Sequence, residues 1–375
     1  MTVSPLLYYR TFAAKDVFDV EEMITGFGHP QWDAMHAPAR STAAAVRRLQ
    51  AAGAILSGKT VCDQFAFGLT GENPAYGTPV NPRAPDRVPG GSSAGSASVT
   101  ASRIVDFAIG TDTGGSVRVP AAYCGIFGFR PTHGRVSMDG CLPLAPTLDT
   151  VGWFARSGDM LRRVGKVLLD DATVDVTPKR LLIATDAFEQ ADPDVVLTIQ
   201  ARIRVVEVAL GLHSEGATMA PDGLELWLDV FRHVQGYEIW RSHGEWITEQ
   251  EPAFTPGIAR RMEWCRTIGS DEHASAEDDR RRIEERFETL LGDDAVLLLP
   301  TTPTVAPRRD RDRDSEDEET RTRTLSLTSG ASLTGLPQVT IPAGIAEDAP
   351  VGLSLIAPRG ADELLLELAT RIEPR

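Results

Sequence analysis

The sequence predicts a single α/β domain spanning residues 1–375, with a mixed central β-sheet covered on both faces by α-helices. Short apolar runs typical of buried strands alternate along the chain with segments of helical composition. The apolar content of 42% and charged content of 24% are those of a soluble globular protein with a large core. No run of 18 apolar residues occurs, so no membrane-spanning helix is expected.

Turn and capping residues place the individual elements. A helix is expected over residues 41–52, because Ser41 can cap it and Gly53 can end it. A helix of small residues is expected over 93–102, and Asp192 followed by Pro193 marks the start of a helix that runs to Leu210. The expected strands are 54–57, 105–110, 180–185, 296–299, 338–341 and 351–356.

One segment differs from the rest in composition. Residues 306–324, APRRDRDRDSEDEETRTRT, are almost wholly charged or threonine and lack apolar periodicity. Such a segment predicts a mobile surface loop.

The charge balance narrows the classes of partner. A net charge of −15 disfavours nucleic acid and anionic membranes, which attract basic surfaces. The four cysteines are widely spaced and form no metal-binding or disulfide pattern, as expected for the cytoplasm. We therefore expect a small-molecule substrate, no cofactor and no metal, and leave a homodimer open.

Two short motifs suggest chemistry that their context contradicts. GAILSGKT at 53–60 matches a phosphate-binding loop, but its spacer residues are apolar and have the composition of a strand. GSSAG at 91–95 matches a nucleophile elbow centred on Ser93, but the preceding NPRAPDRVPG cannot be a buried strand. We therefore expect Lys59 to be structural and the elbow interpretation to fail.

The region from Gly90 to Gly125 carries a longer pattern, with two Gly-Ser-rich turns on either side of a helix and a strand. Ser92 and Ser116 lie in these turns, where free backbone amides can bind a developing anion. Asp112 and Arg118 could pair and hold the second turn rigid. Taken separately, each turn has an equally good explanation as a plain connection.

Taken together, the two turns and their 24-residue separation resemble the amidase-signature family. TFAAKDVFDV at 11–20, GFGHPQWD at 26–33, TGEN at 70–73 and GIFGFRPTHGRVS at 125–137 extend the similarity over most of the chain. Within the family, the sequence looks like the small plant-type indole-3-acetamide hydrolases and their bacterial relatives. The resemblance implies an amidase-signature fold and hydrolysis of a carboxamide.

The resemblance also implies roles for particular residues. Ser116 would be the nucleophile, Ser92 would follow a cis peptide bond after Gly91, and Lys15 would be the base. The implied oxyanion hole consists of the amides of Thr113, Gly114, Gly115 and Ser116. The implied supporting residues are Gly91, Ser93, Asp112 and Arg118.

The substrate is less well defined than the chemistry. Phe67 precedes the TGEN stretch, where the family's acyl-binding wall lies, and a small aryl or hydrophobic amide is expected. A carbamate, urea or anilide could be cleaved by the same attack. The alternative from another class is a noncatalytic binding domain, which the presence of Lys15, Ser92 and Ser116 disfavours.

Overall fold

A computed structural model describes residues 6–169, 176–311 and 316–372. In this part of the chain, ten strands form one sheet in the order β2-β1-β3-β5-β4-β9-β10-β8-β6-β7. The strands are β1 Thr11–Lys15, β2 Ile55–Thr60, β3 Phe107–Asp112, β4 Phe127–Arg130, β5 Thr150–Ala155, β6 Arg180–Ala184, β7 Ser214–Ala217, β8 Ala295–Pro300, β9 Gln338–Ala346 and β10 Ala349–Ile356.

Helices connect most of these strands in chain order, but β4 is joined to β5 and β9 to β10 without a helix; one turn of 3₁₀ helix covers Gln64–Ala66. The α-helices are α1 Pro30–Met35, α2 Ala44–Ala51, α3 Ala94–Ala101, α4 Arg118–Cys124, α5 Gly158–Leu168, α6 Thr185–Glu189, α7 Pro193–Leu210, α8 Leu224–Gln250, α9 Pro256–Thr267, α10 Ser270–Leu291, α11 Glu316–Thr334 and α12 Asp362–Arg371.

The sheet is mixed. β1 pairs in parallel with β2 and β3, and β6 pairs in parallel with β7 and β8. The strands between them, β5, β4, β9 and β10, pair antiparallel to their neighbours. The predicted fold class is therefore confirmed.

Strand β8 shows why helices cover both faces. All six of its residues are buried, and successive side chains of a strand point to opposite faces. Val296 and Leu298 join a core with residues of α5, α7 and α12, whereas Leu297 and Leu299 join a core with residues of α8, α10 and α11. The sheet thus separates two apolar cores.

The predicted elements are found with small shifts at their ends. The helix that follows Asp192 begins at Pro193 and ends at Leu210, where Gly211 adopts a left-handed φ of 68°. The phosphate-loop motif is strand β2, and no helix follows it directly. Residues 81–90, before the elbow motif, contain no strand. Both motifs therefore lack the structure their chemistry needs.

The prediction of a loop over residues 306–324 is wrong in its second half. Helix α11 begins at Glu316, so residues 316–324 are helical, whereas 306–311 form a connection and 312–315 lie outside the described residues. The buried hydroxyls of Ser326, Ser332 and Thr334 donate to carbonyls four residues earlier. A helix whose polar groups are satisfied internally can be buried despite its polar sequence.

Candidate active site

Lys15 ends strand β1 and is completely buried. Its Nζ lies 2.8 Å from Ser92 Oγ and 2.8 Å from Thr111 Oγ1, donating to both hydroxyls. The parallel register of β1 with β3, which pairs Ala14 with Ile109, brings the end of each strand to this point. Burial lowers the pKa of Lys15, although the Asp63, Asp149 and Asp112 carboxyls act in the opposite direction. A buried amine with a lowered pKa can serve as a base.

The turn that carries Ser92 is tightly packed. The Gly91–Ser92 peptide bond is cis, as the resemblance implied. A Cβ on Gly91 would lie 2.5 Å from Asp63 Oδ1 and 2.7 Å from the Gly71 nitrogen, so only glycine fits. Ser92 is buried and has no exposed surface.

Ser116 belongs to a turn organised around the Asp112 carboxylate. Asp112 accepts hydrogen bonds from the amides of Gly115, Val117 and Arg118 at 2.9, 3.0 and 3.2 Å. Its carboxylate also pairs with the guanidinium groups of Arg118 and Arg130, at 2.7 and 3.1 Å. Burial alone would raise the pKa of Asp112, but the two arginines hold it well below its usual range. The predicted Asp112–Arg118 pair is present.

The Ser92 and Ser116 turns adjoin through Ser93. Its amide donates to the Ser116 carbonyl at 3.3 Å, and its hydroxyl donates to the Thr111 carbonyl at 3.2 Å. Ser93 is buried and precedes α3, which suits a supporting role rather than the nucleophile of an elbow. No hydrogen bond joins the two described hydroxyls of Ser92 and Ser116.

One of the four amides implied for the oxyanion hole is already engaged. The Gly115 amide donates to Asp112, which corrects its assignment as an oxyanion donor. The amides of Thr113, Gly114 and Ser116 have no acceptor within the described ranges. Thr328 Oγ1 donates to the Gly114 carbonyl at 2.7 Å and fixes the orientation of that peptide. Three amides therefore remain for an anion.

The nucleophile candidate faces a small cavity. Ser116 is 5% exposed and shares this cavity of about 10 Å³ with Phe67, Gln235, Arg321 and Leu325, among others. Phe67 and Ser116 therefore line the same space. We call this space the inner cavity.

Three carboxyl or hydroxyl groups near the site were not predicted from the sequence. The Thr111 hydroxyl accepts a hydrogen bond from the same Lys15 amine that contacts Ser92. Asp149 accepts from Thr113 Oγ1 at 2.6 Å, and burial raises its pKa to about 6. Asp63 is buried beside Gly91, and burial raises its pKa to about 6 as well. In the sequence, Asp63 could have been recognised as a buried carboxyl because it is an acidic residue within the largely apolar stretch VCDQF.

Lys59, the other lysine near a motif, is held elsewhere. Its Nζ lies 2.7 Å from Asp16 Oδ1 and donates to the Ile24 carbonyl at 2.8 Å. These contacts tie β2 to the segment after β1, so the structural interpretation of Lys59 fits.

The described residues contain no group of three or more His, Cys, Asp or Glu side chains arranged to hold a metal ion. Among the described helices, none combines the length and apolar character needed to cross a membrane.

The mixed α/β sheet, with two Gly-Ser-rich turns beside a buried lysine, has the organisation of an amide-hydrolysing enzyme. Comparison with known proteins agrees: the chain belongs to the amidase family, whose model matches residues 5–234 and 249–366. The resemblance stated from the sequence is therefore confirmed.

Individual relatives support the same assignment. Amidase 1 of Arabidopsis thaliana is 42% identical over 97% of this chain and 92% of its own length. A protein named translocon at the outer membrane of chloroplasts 64, from Pisum sativum, is 37% identical over 95% of this chain and 64% of its own length. A crystal structure of an amidase superposes with a TM-score of 0.88 at 29% identity, covering 99% of this chain and 85% of that one.

Proposed function

We propose that this amidohydrolase cleaves the C–N bond of a small carboxamide with a catalytic triad of Ser116, Ser92 and Lys15. The observation that carries the proposal is the 2.8 Å contact between Lys15 Nζ and Ser92 Oγ, in which both groups are completely buried. A buried lysine with a lowered pKa has few structural uses, whereas next to a serine it can accept a proton.

The mechanism follows from these positions. Neutral Lys15 takes the proton of Ser92, and Ser92 takes the proton of Ser116 as Ser116 Oγ bonds to the amide carbon. The amides of Thr113, Gly114 and Ser116 stabilise the oxyanion. The proton then returns along Ser92 to the leaving nitrogen as the C–N bond breaks, releasing ammonia or an amine. Water hydrolyses the acyl-enzyme by the same route and gives the carboxylate.

The side chains of the inner cavity support a substrate with an apolar portion. Phe67, Leu69, Leu144 and Leu325 line it together with Ser116. An aryl or hydrophobic group of an amide can contact this wall, but the inner cavity of about 10 Å³ has room for only about one water molecule, so the rest of the substrate must lie outside it. Cytoplasmic location, a homodimer and independence from metals stay predictions.

Ammonia release tests the proposal. The wild type, with chelator present, is assayed on phenylacetamide, indole-3-acetamide, benzamide and short aliphatic amides, followed by carbamates, ureas and anilides. We expect Ser116→Ala and Lys15→Met to reduce turnover by at least about 10³-fold. Lys59→Met is the matched control, because it removes a lysine whose Nζ is held by Asp16, Ile24 and Thr25 rather than by Ser92. Turnover that survives Lys15→Met but not Lys59→Met would refute the triad. A folded wild type that cleaves none of these substrates would favour a noncatalytic binding domain.

A further inference from the structure

A larger cavity adjoins the inner one. It has a volume of about 550 Å³, and we call it the outer cavity. Gly68, Leu69 and Arg321 line both cavities, so they form the boundary between the outer cavity and the Ser116 side. Arg261 and Asp63 line the outer cavity but not the inner one. A molecule that reaches Ser116 from the outer cavity must pass Arg321.

Arg321 is a half-buried cation that forms no direct ion pair with any described residue. Within the part of the chain that the structure describes, no group accepts a hydrogen bond from it or lies within ion-pairing distance. Its guanidinium carbon lies 5.4 Å from the centre of the Phe67 ring, and that of Arg261 lies 5.3 Å from the same centre. Two guanidinium groups therefore meet at one aromatic ring.

The neighbouring carboxylates are engaged by other arginines. Glu318 lies 3.7 Å from Arg261 and 3.7 Å from Arg232. Glu72 pairs with Arg311 at 2.5 Å. Glu318 and Asp63 therefore offset only part of the positive charge of three guanidinium groups, those of Arg232, Arg261 and Arg321.

Burial lowers the pKa of Arg321 to about 9, and the nearby Arg261 acts in the same direction, whereas the Glu318 and Asp63 carboxyls act in the opposite direction. The group still carries its charge at neutral pH. A desolvated cation gains most from an anion that reaches it, and the planar guanidinium matches a carboxylate through two parallel hydrogen bonds. The buried Asp63 carboxyl in the same cavity repels any anion, and it repels a doubly charged phosphate more strongly than a singly charged carboxylate.

We infer that the substrate is a carboxamide bearing a carboxylate, which pairs with Arg321 while its amide carbon lies at Ser116. The inference rests on the proposed hydrolysis at Ser116 and specifies its substrate class. Phe67 would then contact the segment that joins the carboxylate to the amide.

Matched pairs of amides test this selectivity. Succinamate is compared with its neutral isostere 4-methylpentanamide, terephthalamate with 4-isopropylbenzamide, and 4-aminobutanamide serves as a cationic probe. We expect kcat/KM of the wild type to favour the anionic member of at least one pair by 10-fold or more. Arg321→Gln should reduce kcat/KM for that anion by about 30- to 100-fold and leave the neutral member within about threefold. Arg321→Lys should restore part of the loss.

Arg323→Gln is the control on the same helix, because Arg323 pairs with Asp192 away from either cavity. It should leave both members of each pair unchanged. Equal rates for charged and neutral members, a preference for the cationic amide, or an equal loss on both members in Arg321→Gln would overturn the inference.

Binding separates this inference from the proposed hydrolysis. In Ser116→Ala, calorimetric titration should show tighter binding of the favoured anion than of its neutral isostere, and Arg321→Gln added to Ser116→Ala should remove the difference. Hydrolysis without charge selectivity refutes the inference alone. Selective binding by a wild type that hydrolyses none of the amides refutes the proposed function while retaining the anion site. Absence of both selective hydrolysis and selective binding refutes the anion site.

Discussion

Replacing Asp112 with asparagine tests how the Ser116 turn is held. Asp112, Arg118 and Arg130 have no exposed side-chain surface, and the substitution removes the negative charge that contacts both guanidinium groups. Loss of one partner from a buried ion pair costs about 3–5 kcal/mol. Arg118 keeps acceptors on Gln338 and Thr328, which limits the loss. We therefore expect the free energy of unfolding to fall by about 4 kcal/mol at pH 7.

Urea unfolding followed by tryptophan fluorescence and circular dichroism measures this loss. Asp159→Asn is the control, since Asp159 and Arg163 form an exposed ion pair on one helix, which contributes less than about 0.5 kcal/mol. A loss below about 1 kcal/mol in Asp112→Asn would refute the claim that this carboxylate organises the turn.

The pH dependence of the same variant has a definite sign. The pKa of Asp112 is depressed in the folded protein, so its contribution is present above the unfolded pKa of about 4 and is lost as pH falls through the folded value. The stability difference between wild type and Asp112→Asn should therefore be constant from pH 5 to 7 and shrink below pH 4. A difference that grows on acidification would contradict the ion-pair assignment.

Two further substitutions probe the turn next to Ser92. Gly91→Ala places a Cβ 2.5 Å from Asp63 Oδ1 and 2.7 Å from the Gly71 nitrogen, so amide hydrolysis should fall at least about 10-fold, with a stability loss of about 1–3 kcal/mol. The control Gly216→Ala, on edge strand β7, should change neither activity nor stability. An active and stable Gly91→Ala variant would show that the turn can relax. Burial raises the pKa of Asp63 to about 6, so the stability of the wild type relative to Asp63→Asn should fall by about 2–3 kcal/mol as pH rises from 4 to 7. Urea unfolding at each pH measures this difference. A pH-independent difference would show that Asp63 titrates normally.

Most elements could be predicted because their signals are local. Apolar runs and capping residues mark β8, β10 and α7 without reference to the rest of the chain. Ser92, Ser116 and Lys15 were assigned by resemblance, since nothing local shows that Lys15 and Ser92, 77 residues apart in sequence, approach within 2.8 Å. The parallel pairing of β1 with β3 brings Lys15 to Thr111, and the hydroxyl of Ser93 holds the Ser92 turn against the Thr111 carbonyl.

Helix α11 was missed for the opposite reason. Its charged and hydroxyl-rich sequence is typical of solvated chain, but its hydroxyls bond to its own carbonyls and its second half is buried. Arg321 lies in the segment interpreted as a loop, and its importance depends on Phe67, some 250 residues earlier. A contact between such distant residues leaves no pattern in either stretch of sequence.

Whether Lys15 can lose its proton depends on the charge of the carboxyl groups around it. An ionised carboxylate nearby favours the charged amine, and Asp112, Asp63 and Asp149 each act on Lys15 in this way. Arg118 and Arg130 neutralise the first of these, while burial disfavours ionisation of the other two up to pH of about 6. Burial of Lys15 therefore outweighs its acidic neighbours. Removing either arginine would leave Asp112 only partly neutralised and so raise the pKa of Lys15, which couples the ion-pair network of the Ser116 turn to the proposed base.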